Sequence, residues 1–227
     1  MTDKPTGRYY CTMPRQTKHH PERGDARTRL LDAALLVIRE KGFSGTSVDD
    51  LCAAAGVSKG AFFHHFESKE ALGIAAAKYW AETTSAFFDE APYHDHNDPL
   101  ERVLAYVDFR KSIIEGELAE FTCLVGTMVQ ETYNTYPGIR DACAASILGH
   151  ADTLEADIAA AKKARGISAE WSPRGLARHT QAVLQGGFVL AKATGDAALA
   201  RDSAEHLRRY ITLLFEKQQQ GEKNELH

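Results

Sequence analysis

SVDDLCAAAGVSKGAFFHHFESK, residues 47–69, reads as two short helices broken at Gly56, with a third helix starting just after. Val48, Leu51 and Cys52 give the first helix an apolar side. Ala53, Ala54 and Ala55 keep it slim enough for close packing. Gly56 can adopt φ > 0 and end that helix. Ser58 can cap the next helix, with Val57 stapled against its first turn. A slim helix, a glycine turn and a second short helix form a helix-turn-helix, the unit that sets its second helix in the DNA major groove.

The flanks extend the pattern. Asp25 can cap a helix whose inner side carries Leu30, Ala34, Val37 and Ile38, and Gly42 ends it. Ser68 can cap a longer helix from Lys69 to about Asp89. From about Arg27 to Tyr79 the chain resembles the DNA-binding domain of the TetR family of transcriptional regulators. The resemblance rests on Gly42-Phe43, Thr46-Ser47, Val57-Ser58-Lys59-Gly60, His65-Phe66 and Ser68-Lys69-Glu70-Ala71-Leu72, in that order. One position departs from the family pattern, which usually places Tyr where this chain has Phe63. That Tyr commonly gives its hydroxyl to a DNA phosphate.

The 227 residues allow one large or two small domains, and 44% of them are apolar. No apolar run reaches the roughly 18 residues of a membrane span, and the N-terminal stretch lacks the apolar core of a secretory signal. Cys11, Cys52, Cys123 and Cys143 are widely spaced, which points to reduced thiols in the cytoplasm rather than disulfides or zinc ligands. The net charge of −4 at first argues against DNA. However, residues 1–80 hold 12 Lys/Arg against 9 Asp/Glu, and residues 81–227 hold 15 against 22. The helix-turn-helix end is mildly basic, and the acid lies elsewhere.

The expected architecture is all-α. It comprises a flexible arm (1–24), a three-helix DNA-binding domain (25–72), a larger helical ligand-binding and dimerisation domain (73–218) and a frayed tail (219–227). Met13 reads as a possible second start, and the arm's basic residues could lie along DNA. Later helices are expected at about 99–115, 119–134, 138–165, 173–194 and 197–218, broken near Gly116, Pro137, Gly166, Pro173 and Gly195.

On the second short helix, Phe62 and Phe66 are four apart and should face inward. Lys59, Gly60, Ala61, Phe63 and His64 then point elsewhere. Gly60 and Ala61 let the backbone approach base edges. Ala61 or Phe63 can touch a thymine methyl, Lys59 a guanine edge or a phosphate, and His64 a base or a phosphate. Thr46, Ser47, Ser58 and Lys69 lie at helix starts that favour phosphate, and the serines would cap helices in any case.

One helix-turn-helix reads few base pairs. A two-fold dimer reads two half-sites about 34–36 Å apart or a multiple of that. Leu176, Thr180, Val183, Leu184, Gly187, Phe188 and Ala191, with Ala204, Leu207, Ile211, Leu214 and Phe215, form stripes on the last two helices. These either build a dimer seam or pack inside the monomer. The family resemblance implies the seam, together with a double-stranded operator and a small-molecule effector held among the middle helices. Candidate lining residues are Phe109, Ile113, Phe121, Cys123, Met128 and Gln181. Cys123 has a second reading, as an electrophile- or redox-sensing thiol near a helix start. No enzyme motif or metal-ligand spacing is found, and no cofactor is implied. His64-His65 point about 100° apart on a helix, and His94-x-His96 lies in a polar connection.

Overall fold

The computed structural model describes residues 25–224, with side chains to Glu216. The arm, with Met13, and the last three residues lie outside that range. Ten α-helices occur among the described residues: α1 (Ala26–Gly45), α2 (Val48–Ala55), α3 (Lys59–His65), α4 (Lys69–Asp89), α5 (Pro99–Ser112), α6 (Leu118–Phe121), α7 (Leu124–Thr132), α8 (Pro137–Ala164), α9 (Pro173–Thr194) and α10 (Ala198–Asn224). A 3-10 turn, Pro92–Asp95, precedes α5. No strand is present among the described residues, and no helix is long and apolar enough to cross a membrane.

The caps follow local sequence. Asp25, Ser47, Ser58 and Ser68 each accept a backbone N–H in the first turn of the following helix. Gly56 sits at φ +62° and closes α2, with its N–H and that of Val57 turned back to α2 carbonyls. Gly42, at φ +79°, kinks α1 so that Phe43 turns inward to 1% exposure.

Two core clusters share α4. In the first, Leu30, Leu31, Ala34 and Ile38 of α1 meet Leu51, Phe62 and Phe66, Leu72 and Ala76 of α4, and Met128 and Ile139 of α7 and α8. In the second, Phe88 of α4 meets Tyr106 and Phe109 of α5, Leu154 and Ile158 of α8, and Leu184 and Ile211 of α9 and α10. The boundary drawn at residues 72–73 therefore falls within a continuous helix. Gly73 lies so close to its neighbours that an added Cβ would meet Phe43 at 2.7 Å and Ile139 at 3.0 Å. Here α4 seats closely against α1 and α8.

Three expectations are corrected. The single helix at 119–134 is two helices, because Thr122 and Cys123 are extended. Arg39, reaching across from α1, donates to the carbonyls of Glu120 (3.2 Å) and Thr122 (3.4 Å), so the break leaves them paired in the interior. The last helix, expected to end at about residue 218, continues to Asn224. Most of the stripe on the last two helices packs inside the monomer: Leu176, Thr180, Leu184, Gly187, Phe188, Ala191, Ala204, Leu207, Ile211 and Phe215 are buried. Gly187 serves close approach to α10, where an added Cβ would meet Ala200 and Ser203 at 3.2–3.4 Å.

Candidate nucleic-acid interface and buried cavity

Residues 43–69 fix the attitude of α3. Ser47 and Asp50 form a reciprocal capping box, and Asp50 also accepts Lys41 Nζ at 2.7 Å. These hydrogen bonds hold the Asp50 carboxyl well below its ordinary range, Lys41 contributing most. Phe62 is fully buried and Phe66 nearly so, with ring centroids 5.9 Å apart. With that face locked inward, Lys59, Gly60, Phe63 and His64 are exposed and Ala61 is half-exposed. Phe63 stands edge-on to Phe62, with 56% of its surface open to solvent.

Lys59 has a partner within the chain. Its ammonium pairs with Asp49 of α2 at 2.8 Å, and that hydrogen bond holds the group above its ordinary range. Both partners are well exposed, so the pair is weak and easily exchanged for a phosphate. Ser47 and Ser58 are exposed caps.

Two of the residues expected on the docking face are turned inward. Thr46 is 2% exposed and donates its hydroxyl to the Gly42 carbonyl at 2.7 Å, clasping the end of α1. Lys69 donates to the carbonyls of Phe43 (3.0 Å) and Thr46 (2.9 Å) and stands over the Phe43 ring. Its charge is directed at the α1–α2 link rather than at solvent. Glu131 of α7 grips the same link from the other side, accepting the N–H groups of Phe43 (3.2 Å) and Ser44 (2.8 Å). Sequence reasoning missed Glu131, whose partners lie 87 and 88 residues away with no local pattern to mark them.

The middle helices surround a partly open cavity with about 50 Å³ of free space. Of the candidate lining residues, Ile113, Phe121, Cys123 and Gln181 border it. Phe109 and Met128 do not. Phe109 packs against Phe87, Phe88 and Tyr93, and Met128 is fully buried in the first core. Sequence reasoning missed Arg110, Trp80 and Phe188, which also line the cavity. Arg110 reads in sequence as one of two basic residues closing α5, and the Tyr106, His150 and Gln181 groups around it come from three different helices. Cys123 caps α7 and accepts the Gly126 N–H at 3.4 Å. It lies between this cavity and a wider cleft of about 710 Å³ lined by Arg39, Gly42, Thr127, Glu131 and Lys192. No cluster of three or more His, Cys, Asp or Glu suited to a metal ion occurs among the described residues.

This geometry meets its counterpart in known proteins. Residues 30–76 match the family described as bacterial regulatory proteins, tetR family, and residues 99–207 match the tetracyclin repressor-like C-terminal domain. The chain belongs to the TetR family. It is thus a DNA-binding transcriptional regulator and not an enzyme. It is 27% identical over 176 residues to the transcriptional regulator AcuR of Cereibacter sphaeroides, spanning 76% of this chain and 78% of that one. It is 49% identical over 51 residues to the transcriptional repressor DhaR of Mycobacterium sp. (strain GP1), a match covering 22% of this chain and 26% of that repressor. A TetR transcriptional regulator of Chloroflexus aurantiacus superposes with a TM-score of 0.69 at 28% identity, over 82% of this TetR-family chain and 94% of that one.

Proposed function

We propose that this TetR-family regulator is a cytoplasmic repressor. It binds a two-fold operator as a homodimer and leaves DNA when a small molecule occupies the cavity beneath α4. The observation that carries this reading is the course of α4. Its first half is seated on α1 through Leu72 and Gly73, and its second half walls the cavity through Trp80, Thr84 and Phe88. A ligand that favours a shifted α4 shifts the two recognition helices with it. By linkage, DNA then weakens ligand binding by the same factor.

In this reading residues 25–72 carry the DNA-reading end, and residues 73–218 carry the effector site and dimer contacts. Ser47, Ser58, Lys59, Gly60, Ala61, Phe63 and His64 meet DNA. The dimer forms on the outer faces of α9 and α10. Val189, Leu190, Tyr210 and Leu213 are exposed there at 45–50%, and nothing lies within 4 Å of a Cβ added at Gly186. Footprinting on the DNA upstream of its own gene, followed by a small-molecule screen for release, tests the reading. Two protected half-sites about one or two helical turns apart are expected. Protection of a single half-site by a monomer would sink the dimeric part.

A second reading, covalent sensing at Cys123, draws on the placing of that thiol. It is half-exposed at the start of α7 and lines both the cavity and the wider cleft. If Cys123→Ser retains a full response to electrophiles, that reading fails.

A further inference from the structure

Arg110 is 8% exposed and lies among the aromatic side chains of the second core. Its Nη1 donates to the Tyr106 hydroxyl at 2.7 Å and toward His150 Nε2 at 3.3 Å. Its Nε and Nη2 donate to no acceptor among the described residues, and no carboxylate there lies within ion-pair distance. Arg39, the other buried arginine, makes the contrast. It donates to the carbonyls of Leu35, Glu120 and Thr122. The residue is buried as a whole, but neither Nε nor Nη2 is sealed off, so that edge is open to an acceptor from outside the chain.

The surroundings hold that edge in place. The Tyr106 hydroxyl accepts from Arg110 and from Gln181 Nε2 (3.0 Å) and donates to His150 Nε2 (2.8 Å). His150 Nε2 is therefore an acceptor, and the imidazole is the neutral tautomer with its proton on Nδ1. Burial, with Arg110 alongside, keeps it neutral. Among the described residues no Asp or Glu lines the cavity, and Arg110 is the only side chain of fixed charge that does. Ile113, Ile114, Phe121 and Phe188 supply an apolar floor.

We propose that the cavity takes a short-chain monocarboxylate of about two to four carbons, held by the Nε–Nη2 edge of Arg110. The guanidinium fork matches a carboxylate in two parallel hydrogen bonds. The size limit follows from the volume. About 50 Å³ corresponds to room for roughly three to five waters, and so for a handful of heavy atoms. The inference rests on the effector reading above and assigns that effector a chemical class. The wider cleft is the poorer candidate, because its Arg39 and Lys192 are already bonded to protein oxygens.

The test uses the full chain, with propionate against propionamide, octanoate and matched chloride. Calorimetry and thermal unfolding read binding, and an operator gel shift reads release. Propionate is expected to bind saturably and raise the melting temperature. Propionamide, nearly the same shape without the charge, is expected to do neither, and octanoate is excluded by size. Arg110→Gln is expected to weaken propionate at least tenfold. Equal binding of propionamide or chloride, tighter binding of octanoate, or unchanged propionate affinity in a folded Arg110→Gln protein would each overturn the assignment. If Arg110→Gln does not fold, the propionate–propionamide pair on the unaltered protein decides. Arg110-dependent propionate binding that leaves the operator occupied refutes the effector reading and keeps the carboxylate site. Operator release by a neutral compound, with propionate inert, does the reverse.

Discussion

The Glu131 carboxylate accepts the Ser44 backbone N–H at 2.8 Å and so joins α7 to the end of α1 across 87 residues of sequence. The same carboxylate takes the Phe43 N–H, and Gly42 gives it room. An added Cβ at Gly42 would run into Glu131, at a φ of +79° that L side chains rarely adopt. Glu131→Ala is expected to cost about 1 kcal/mol, at the low end for a charge-assisted bond because the carboxylate is exposed. Gly42→Ala is expected to cost about 2 kcal/mol, from backbone strain and the displaced carboxylate. Both disturb one contact, so urea unfolding of the double variant should show less than the sum. A strictly additive pair would mean that the two do not act through the same link.

On the outer face of α3, Lys59→Ala and His64→Ala are expected to weaken operator binding while stability stays within about 0.5 kcal/mol. Both side chains are exposed, and the fold does not depend on them. Lys59→Ala should also lower the salt slope of binding by about one. Asp49→Asn releases Lys59 from its 2.8 Å pair and removes a negative charge beside the phosphates, so affinity should rise. Phe63→Tyr is expected to tighten binding alike on all sequences, because the Tyr usual in the family at this position commonly gives its hydroxyl to a phosphate, and phosphate contacts carry no sequence information. Gel shifts at several salt concentrations check all four. Unaltered affinity in both alanine variants would mean that another face docks.

His150 carries a pH dependence. Burial, with Arg110 alongside, pushes its imidazole from about 6.5 down to about 3 in the folded state. The unfolded chain therefore binds a proton that the folded protein refuses between those values. This stability is fully present above about pH 6.5 and is lost as pH falls toward 3. The slope reaches about 1.4 kcal/mol per pH unit from this one group. Urea midpoints at pH 7 and pH 5 should differ in the parent and differ less in His150→Gln. An equal pH dependence in both would assign the effect to other groups.

Where contacts are local, the sequence was readable. Phe62 and Phe66 lie one turn apart, so one buried edge fixes both, and Ser47, Ser58 and Ser68 cap helices through groups three residues on. What was missed depends on distant partners. Lys69 resembles a phosphate ligand from its place at a helix start, and the carbonyls it meets lie 23 and 26 residues away. The break at Thr122–Cys123 is invisible locally because Arg39, which satisfies it, lies 83 residues away. Arg110 was legible as a cation but not as one with a guanidinium edge left open, since that depends on the helices around it.

The two faces of α9 and α10 show why periodicity alone could not choose between a core and a seam. The stripe through Leu184, Phe188, Leu207 and Ile211 is buried against the chain's own helices. A second strip passes through Gly186, Val189 and Leu190 on α9 and Tyr210 and Leu213 on α10, and it remains exposed. His179 and Tyr210 touch across the two helices, with ring centroids 5.2 Å apart, so the strip is continuous over the pair. Packing a second copy there by two-fold symmetry makes a four-helix bundle and removes that apolar surface from water. Leu190→Glu with Leu213→Glu is therefore expected to halve the mass seen by light scattering. The monomer's own core should persist, because both positions face away from it. Operator affinity should collapse, since one recognition helix alone gives up a half-site. A variant that stays dimeric, with operator affinity intact, would place the seam on another face.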